Sequence, residues 1–270
     1  IVGEIARARV AHDAALAAYR FNDAANGLYA VTWGTVCDWY LEFAKPLLAS
    51  EDAGVVAETR ATLAWVIDQC LILLHPVMPF VTEALWGEIT ARPKMLAHAD
   101  WPEYDAALVD PEADREMGWV IALIEEVRSV RAQMGVPAGA RVRLCAAAMD
   151  AAATAAWERN AAMIGRLARV DGIDPVPALP KSAATLSVAG AVLGLPLAGL
   201  IDIGTERARL EKAVAKLEKE LGGLRGRLGN PKFAESAPED VVAETRANLS
   251  AREAEAGKLR AALERLAELA

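Results

Sequence analysis

Two leucine ladders near the end of the chain limit what it can fold into more than any other feature. Leu210, Val214, Leu217, Leu221, Leu224 and Leu228 recur at intervals of 4, 3, 4, 3 and 4. Gly229, Asn230 and Pro231 stop that helix. After Ala237 and Pro238 a second ladder carries Val242, Thr245, Leu249, Ala256, Leu259, Leu263 and Leu266, with Arg252 where an apolar residue is missing. Apolar residues at this spacing give each helix a stripe that another helix must cover. Two such helices joined by a short turn fold back as an antiparallel coiled-coil hairpin over 205–270. At about 1.5 Å per residue, 205–228 makes an arm of roughly 36 Å. Gly222, Gly223 and Gly226 each cost about 1 kcal/mol in a helix interior, so the arm is expected to bend there.

The other strong pattern is Tyr29 to Leu48. Trp33, Cys37, Tyr40, Leu41, Ala44 and Leu48 make one apolar face at helical spacing, and Val36, Trp39, Phe43 and Leu47 make a second. Only Gly34, Asp38, Glu42 and Lys45 remain as a narrow polar stripe. A helix apolar nearly all round is buried among neighbours, so this segment is expected at the centre of a helical bundle. Its partners are a helix over 3–18, a break at 19–23 with Asn22 or Asp23 as cap, a helix after Ser50-Glu51-Asp52, and a short helix from Pro79. The helix before His75-Pro76 carries Val56, Thr59, Leu63, Val66, Cys70 and Leu74 at 3s and 4s. Its end is set by proline, which pushes the preceding residue out of helical geometry.

The bundle occupies 1–104. A linking unit over 105–204 begins with a helix bearing Met117, Val120, Ile124, Val127, Val130 and Met134. Alternation in 141–145 predicts a strand, 151–169 a helix, and the apolar runs 184–192 and 194–201 two more strands. The fold class is therefore mainly α: a helical bundle, a small α/β linking unit and a coiled-coil hairpin.

The net charge of −8 argues against a general polyanion binder, but it is unevenly spread. Residues 205–232 hold eight basic and four acidic side chains. A local patch of this kind can steer a polyanion even on an acidic chain. Its cations are Arg207, Arg209, Lys212, Lys216, Lys219, Arg225, Arg227 and Lys232. They read equally well as phosphate contacts or as a solvated surface paired with Glu206, Glu211, Glu218 and Glu220.

No apolar run reaches the length of a membrane span and no signal peptide is visible. The chain opens at Ile1 directly in a helical pattern, and is expected to be a piece of a longer protein. Cys37, Cys70 and Cys145 form no ligand spacing and read as small hydrophobes in a reducing compartment. There is no phosphate-binding loop, dinucleotide fingerprint or zinc-protease motif. His12, His75 and His98 lie far apart in sequence, and His75 reads as a packing or capping residue at a helix end. Asp38 and Glu42 share a face and could serve acid–base chemistry, but pairing with Lys45 is the stronger reading. No catalytic residue and no metal site is expected in this chain.

Several stretches look familiar. RFNDAANGLY at 20–29, Trp33 and CDWYLEFAKPLL at 37–48 are similar to the anticodon-binding bundle of class I aminoacyl-tRNA synthetases. LLHPVMPFVTEALW at 73–86 resembles a segment shared by the isoleucine, valine and leucine enzymes. VRSVRAQMGVPAGARV at 127–142, LPLAGLIDIGTERARLEK at 195–212 and RLGNPKFAESAPEDVVAETR at 227–246 resemble the carboxyl-terminal region of the valyl-tRNA synthetases. The cysteine-rich zinc module that usually ends the isoleucine enzymes has no counterpart here.

The resemblance implies a cytoplasmic, monomeric enzyme that uses ATP with Mg²⁺ to join valine to tRNA(Val), and that edits mischarged threonine. A pocket shaped for valine cannot strongly reject an isostere bearing a hydroxyl. It places the nucleotide-binding and editing domains upstream and leaves this piece without cofactor, DNA or membrane partner. By the same resemblance the bundle holds the anticodon stem-loop through Arg20, Phe21, Asn22, Asp23, Trp33 and Asp38, while the basic helix lies on the tRNA elbow. Phe21 and Trp33 read equally as core residues. Asn230 and Phe233 match the turn motif at the hairpin tip. Where such enzymes often carry an aromatic and a bulkier polar residue, this chain has Val31 and Gly34. The competing reading is a protein-interaction scaffold whose coiled coil pairs between chains.

Overall fold

Helix α1 (Val2–Ala17) ends in a tight reversal. The Arg20 N–H donates to the Ala15 carbonyl (2.9 Å) and Tyr19 takes up a left-handed φ of 57°, a strained choice for a residue with a Cβ. Helix α2 (Phe21–Tyr29) then runs without a break into a π-helix, Ala30–Tyr40, and on into α3, Leu41–Leu48. Asn22 and Asp23 do not cap α2, contrary to the sequence expectation. Arg20 is the cap residue, and Asp23 sits inside the first turn, 3.1 Å from the Arg20 guanidinium. Asp52 caps α4 (Ala53–Leu74) by accepting from the Gly54 and Val55 N–H groups. Pro79 opens α5 (Pro79–Ile89), where its missing N–H leaves no donor unsatisfied. The computed structural model describes residues 1–200, 203–230 and 239–268, and they fall into two compact units, 1–115 and 116–270.

In the first unit Ile5, Leu28, Val36, Val66 and Leu73 form the core, with Trp65, Tyr40 and Tyr104 packed around them. Each such side chain contributes about 1.5–3 kcal/mol on burial. The Tyr104 hydroxyl donates to Gln69 (2.6 Å), and burial pushes this phenol up to about 12. Burial likewise raises the Cys70 thiol to about 11, which keeps it protonated and inert.

The segment 29–48 is helical and joins the core, but it is not enclosed on all sides. Val36, Phe43 and Ala44 are buried, whereas Tyr29, Trp33 and Leu47 are exposed. Part of the reason is winding. Through Ala30–Tyr40 the backbone bonds reach five residues back, ending with Leu41 N–H on the Val36 carbonyl. Faces computed at 3.6 residues per turn drift under that winding. The polar stripe keeps its place: Gly34, Asp38 and Lys45 are exposed, and Lys45 pairs with Glu42.

Helix α6 (Pro111–Gln133) carries Val120, Leu123, Ile124, Val127 and Val130 fully buried. It stops at Gly135, φ 63°. In the second unit β1 (Val142–Met149), β2 (Val170–Pro175), β3 (Ala183–Val188) and β4 (Ala191–Pro196) form one sheet in the order β2-β1-β4-β3. Strands β1 and β2 are parallel, linked by α7 (Ala151–Ala168), and the other pairs are antiparallel. Trp119 Nε1 donates to the Ala189 carbonyl (2.9 Å) and Glu126 accepts from the Ser187 N–H (3.2 Å), so α6 is tied to the β3–β4 hairpin. The strand β2 is an addition to the sequence expectation. The second pair of strands lies at 183–188 and 191–196 instead of 184–192 and 194–201, with Gly190 (φ 70°) turning between them.

Helices α8 (Ile203–Leu228) and α9 (Glu239–Glu268) pack on each other. Leu217, Leu221 and Ala256 are buried between them, with Leu249 and Leu259 alongside. Arg225 pairs with Glu253 (2.8 Å) and Glu218 with Arg260, so the two helices run in opposite directions. Arg252, the polar interruption of the ladder, is exposed and bonded to Glu255 (2.7 Å). Lys232 and Phe233 lie outside the described residues.

Glycine substitutions at two kinds of position should therefore have opposite signs. A Cβ at Gly223 or Gly226 meets open space, and either Ala substitution should stabilise the helix by about 1 kcal/mol. A Cβ at Gly165 would sit 2.8 Å from the Val170 carbonyl oxygen, and Gly165→Ala should cost about 1–3 kcal/mol. Thermal unfolding of the three variants by circular dichroism checks both signs.

Candidate nucleic-acid interface

The tight reversal at Tyr19 lays α2 beside α1 and leaves a groove of about 440 Å³ between them. Small side chains on both helices make the space: Ala8, Ala11 and Ala15 from α1, Ala24 and Gly27 from α2. Glu4, Arg7, Arg20 and Asp23 also line it. Arg7 is fixed by two hydrogen bonds to Asp114 (2.8 and 3.0 Å) and one to Glu4 (2.6 Å). These bonds raise the guanidinium above its ordinary range and hold the Asp114 carboxyl below its own. His12 also lines the groove. It is 3 % exposed, its Nδ1 lies 3.4 Å from the Ala24 carbonyl, and its Nε2 is buried without a partner. Its ring leans on Trp101, whose Nε1 donates to Asp13 (3.0 Å).

Of the six bundle residues named from the sequence, all lie on the surface. Arg20 and Asp23 meet in the groove as an exposed ion pair. Phe21 and Trp33 are 63 % and 54 % exposed, so neither is a core residue. Each has a neighbouring ring, Tyr19 against Phe21 (6.3 Å) and Tyr29 against Trp33 (6.2 Å). Asn22 and Asp38 are exposed, the latter on the π-helix. Sequence reasoning missed Tyr19 and Tyr29. Tyr19 lies at the predicted helix break and Tyr29 closes the RFNDAANGLY stretch, so the available signal was an aromatic at either end of that motif. His75, read as a packing residue, bonds through Nδ1 to the buried Thr82 hydroxyl (2.8 Å).

On α8 the seven described cations divide. Arg207 bonds Glu211 one turn on (2.9 Å) and Arg225 bonds Glu253 of α9 (2.8 Å). Lys212 and Lys219 form no ion pair with another described residue, and Lys216 lies 4.0 Å from Glu220 while 80 % exposed. Arg209 and Arg227 each make a further interaction within the chain. Among the described residues there is no group of three or more His, Cys, Asp or Glu side chains placed to hold a metal ion. Nor is any helix long and apolar enough to cross a membrane.

Residues 1–146 match the family described as the anticodon-binding domain of tRNA ligase. The chain belongs to that family. Residues 202–267, which hold α8 and α9, match the valyl-tRNA synthetase tRNA-binding arm. Among curated relatives the whole chain is 62 % identical to part of a protein named valine--tRNA ligase from Ruegeria pomeroyi, covering 26 % of it. It is 58 % identical to part of one from Cereibacter sphaeroides, covering 27 %. A third, from Caulobacter vibrioides, is 43 % identical over 259 residues, 94 % of this chain and 29 % of that protein. The chain thus spans about a quarter of the length of these relatives. Within the anticodon-binding family match lie both the groove and the exposed aromatic pairs.

Stability measurements separate surface from core here. Phe21→Ala and Trp33→Ala should shift stability by no more than about 0.5 kcal/mol, whereas Phe43→Ala, 7 % exposed, should cost about 3–5 kcal/mol. A second expectation concerns acid. Because Arg7 depresses the Asp114 carboxyl, the stabilisation is complete above 3.8, the ordinary value, and is lost as pH falls through the lower folded one. Asp114→Asn should flatten that acid limb of the melting temperature against pH while leaving Arg7 its bond to Glu4 at neutral pH.

Proposed function

We propose that this chain is the tRNA-binding end of a valine–tRNA ligase. One observation carries the reading: two separate RNA-binding families match at the two ends of one chain, and relatives covering the whole of it are named valine--tRNA ligase. The functional division is 1–104 for the anticodon bundle, 105–204 for the linking helix and α/β unit, and 205–270 for a coiled-coil hairpin that forms the arm. The longer enzyme attaches valine to tRNA(Val) in the cytoplasm as a monomer and edits threonine. ATP with Mg²⁺ supplies the activation chemistry in its upstream domain, and no step of it runs through the residues described above.

In this reading the bundle takes the anticodon loop as a set of splayed bases. Unpaired bases are recognised by stacking on aromatic faces and by hydrogen bonds to their edges. Phe21 and Trp33 offer faces that are more than half open to solvent. Arg20 and Asp23 offer donors and acceptors at the edge of the 440 Å³ groove. Asn22 and Asp38 add exposed polar edges. The arm contributes charge along the elbow. A scaffold that pairs between chains is the weaker reading, because α9 already covers the Leu217–Leu221 stripe of α8 within one chain.

The test is binding of the full chain to a tRNA with a valine anticodon, followed by gel shift across a salt series. Affinity should fall as salt rises, and Phe21→Ala with Trp33→Ala should weaken binding by about 1–3 kcal/mol per base lost. A tRNA with an exchanged anticodon should bind more weakly. Equal affinity for both tRNAs would remove the bundle from anticodon recognition.

A further inference from the structure

We infer that RNA lies on one side of the arm only, the side of α8 turned away from α9, and that Lys212, Lys216 and Lys219 are its phosphate contacts. This rests on the reading above and narrows it. The carboxylates and the cations of α8 are sorted by position. Glu211, Glu218 and Glu220 flank the leucine seam, and there Glu218 and Glu220 meet Arg260 and Arg252 of α9, the latter pair at 3.8 Å. Arg225 also flanks the seam and is held by Glu253. These groups are ties between the two helices or along one of them.

The opposite side of α8 differs in composition. From Ala208 to Gly226 the exposed positions farthest from the seam carry Lys212, Lys216 and Lys219, while Arg209 and Glu211, both exposed, stand at the two borders of that side. The remainder of that side is alanine or glycine, with nothing that stands up between the cations. The outward side of α9 does not repeat this. Its described exposed positions mix signs, Arg246 and Lys258 with Glu244 and Glu264, the rest being mostly alanine. Of the two arm helices, α8 is therefore the one whose described outer side carries a single sign. Lys212 and Lys219 have no ion pair with another described residue, and Lys216 is held at most loosely by Glu220. Long, exposed lysines of this kind are weakly paired in water and are free to exchange condensed counterions for phosphates. From Lys212 to Lys219 is two helical turns, about 10 Å, so the three act on one short run of backbone. Arg207 and Arg225, which composition groups with them, belong to the arm's own structure.

The experiment uses the full chain and an unmodified tRNA transcript with a valine anticodon. Three variants are compared: Lys212→Gln/Lys216→Gln/Lys219→Gln, Arg207→Gln/Arg225→Gln, and Lys258→Gln. For each, affinity is read against salt, and arm stability by thermal circular dichroism. The lysine triple should lose at least about tenfold in affinity, and the slope of log affinity against log salt should become shallower by about 2 to 3. Its melting curve should not move. The corresponding Lys→Arg triple, which keeps the charge, should restore the slope. The arginine pair should keep the slope and lower the melting temperature, and Lys258→Gln should do neither. If the arginine pair or Lys258→Gln flattens the slope as much as the lysine triple, or the triple leaves it unchanged, the inference falls while tRNA binding stands. A wild-type chain that binds no tRNA at low salt overturns both.

Discussion

The seam between α8 and α9 decides what the charged part of this chain can do. Leu217 and Leu221 close on Ala256, and the small alanine lets the two helices approach. The ion pairs from Glu218 to Arg260 and from Arg225 to Glu253 sit at the edges of that contact. As exposed pairs they add little each, of the order of 0–1 kcal/mol. Their larger effect is to use up opposite charges in one place. With Glu218 and Glu220 drawn toward the seam, the side of α8 farthest from it is left with Lys212, Lys216 and Lys219. The hydrophobic stripe thus fixes rotation, and rotation sorts the charge.

The same dependence of surface on core holds in the bundle. Val36 and Phe43 are buried on the segment that also shows Trp33 and Asp38 to solvent. The π-helical winding of Ala30–Tyr40 sets which side chains fall on which side. Phe21 and Trp33, each with an aromatic neighbour at about 6 Å, make two exposed ring pairs on this unit. The groove between α1 and α2 has the same character. Alanine and glycine at the contact give a shallow space with an ion pair at its edge, where larger residues would have filled it.

What the sequence made legible follows from period and punctuation. The ladders on α8 and α9, the buried stripe of α6 and the proline at the start of α5 were each visible because one physical rule dominated locally. Strand β2 was not, since Val170–Pro175 contains Asp171, Gly172, Asp174 and Pro175. These are poor strand formers, tolerated because β2 is an edge strand paired only with β1. The exposure of Trp33 was hidden for a different reason. Helical spacing assumes 3.6 residues per turn, and a π-helix leaves no mark in the period of so short a segment. The cap of α2 was misread because Asn22 and Asp23 are good caps by type, yet the reversal at Tyr19 starts the helix at Phe21, ahead of both. Candidate contact residues were legible as types. Their grouping into a groove, a pair of rings and a single-sided cationic face needed the fold.

An acidic chain that presents such a face is no contradiction. Screening at physiological salt confines each charge to about 8 Å, less than the length of the lysine run. A phosphate above Lys216 therefore responds to Lys212 and Lys219 on the same side, and far less to carboxylates elsewhere on the chain. Of the carboxylates nearest to it on α8, Glu218 is engaged by Arg260, and Glu220 is shared between Arg252 (3.8 Å) and Lys216 itself (4.0 Å). Net charge then governs how the whole molecule drifts among other polyanions, and repels most of them. Only a partner that reaches the outer side of α8 while satisfying the bundle gains from both. Selectivity of this kind comes from the placement of a few cations against a background of the opposite sign, and it would weaken if the rest of the surface were made basic.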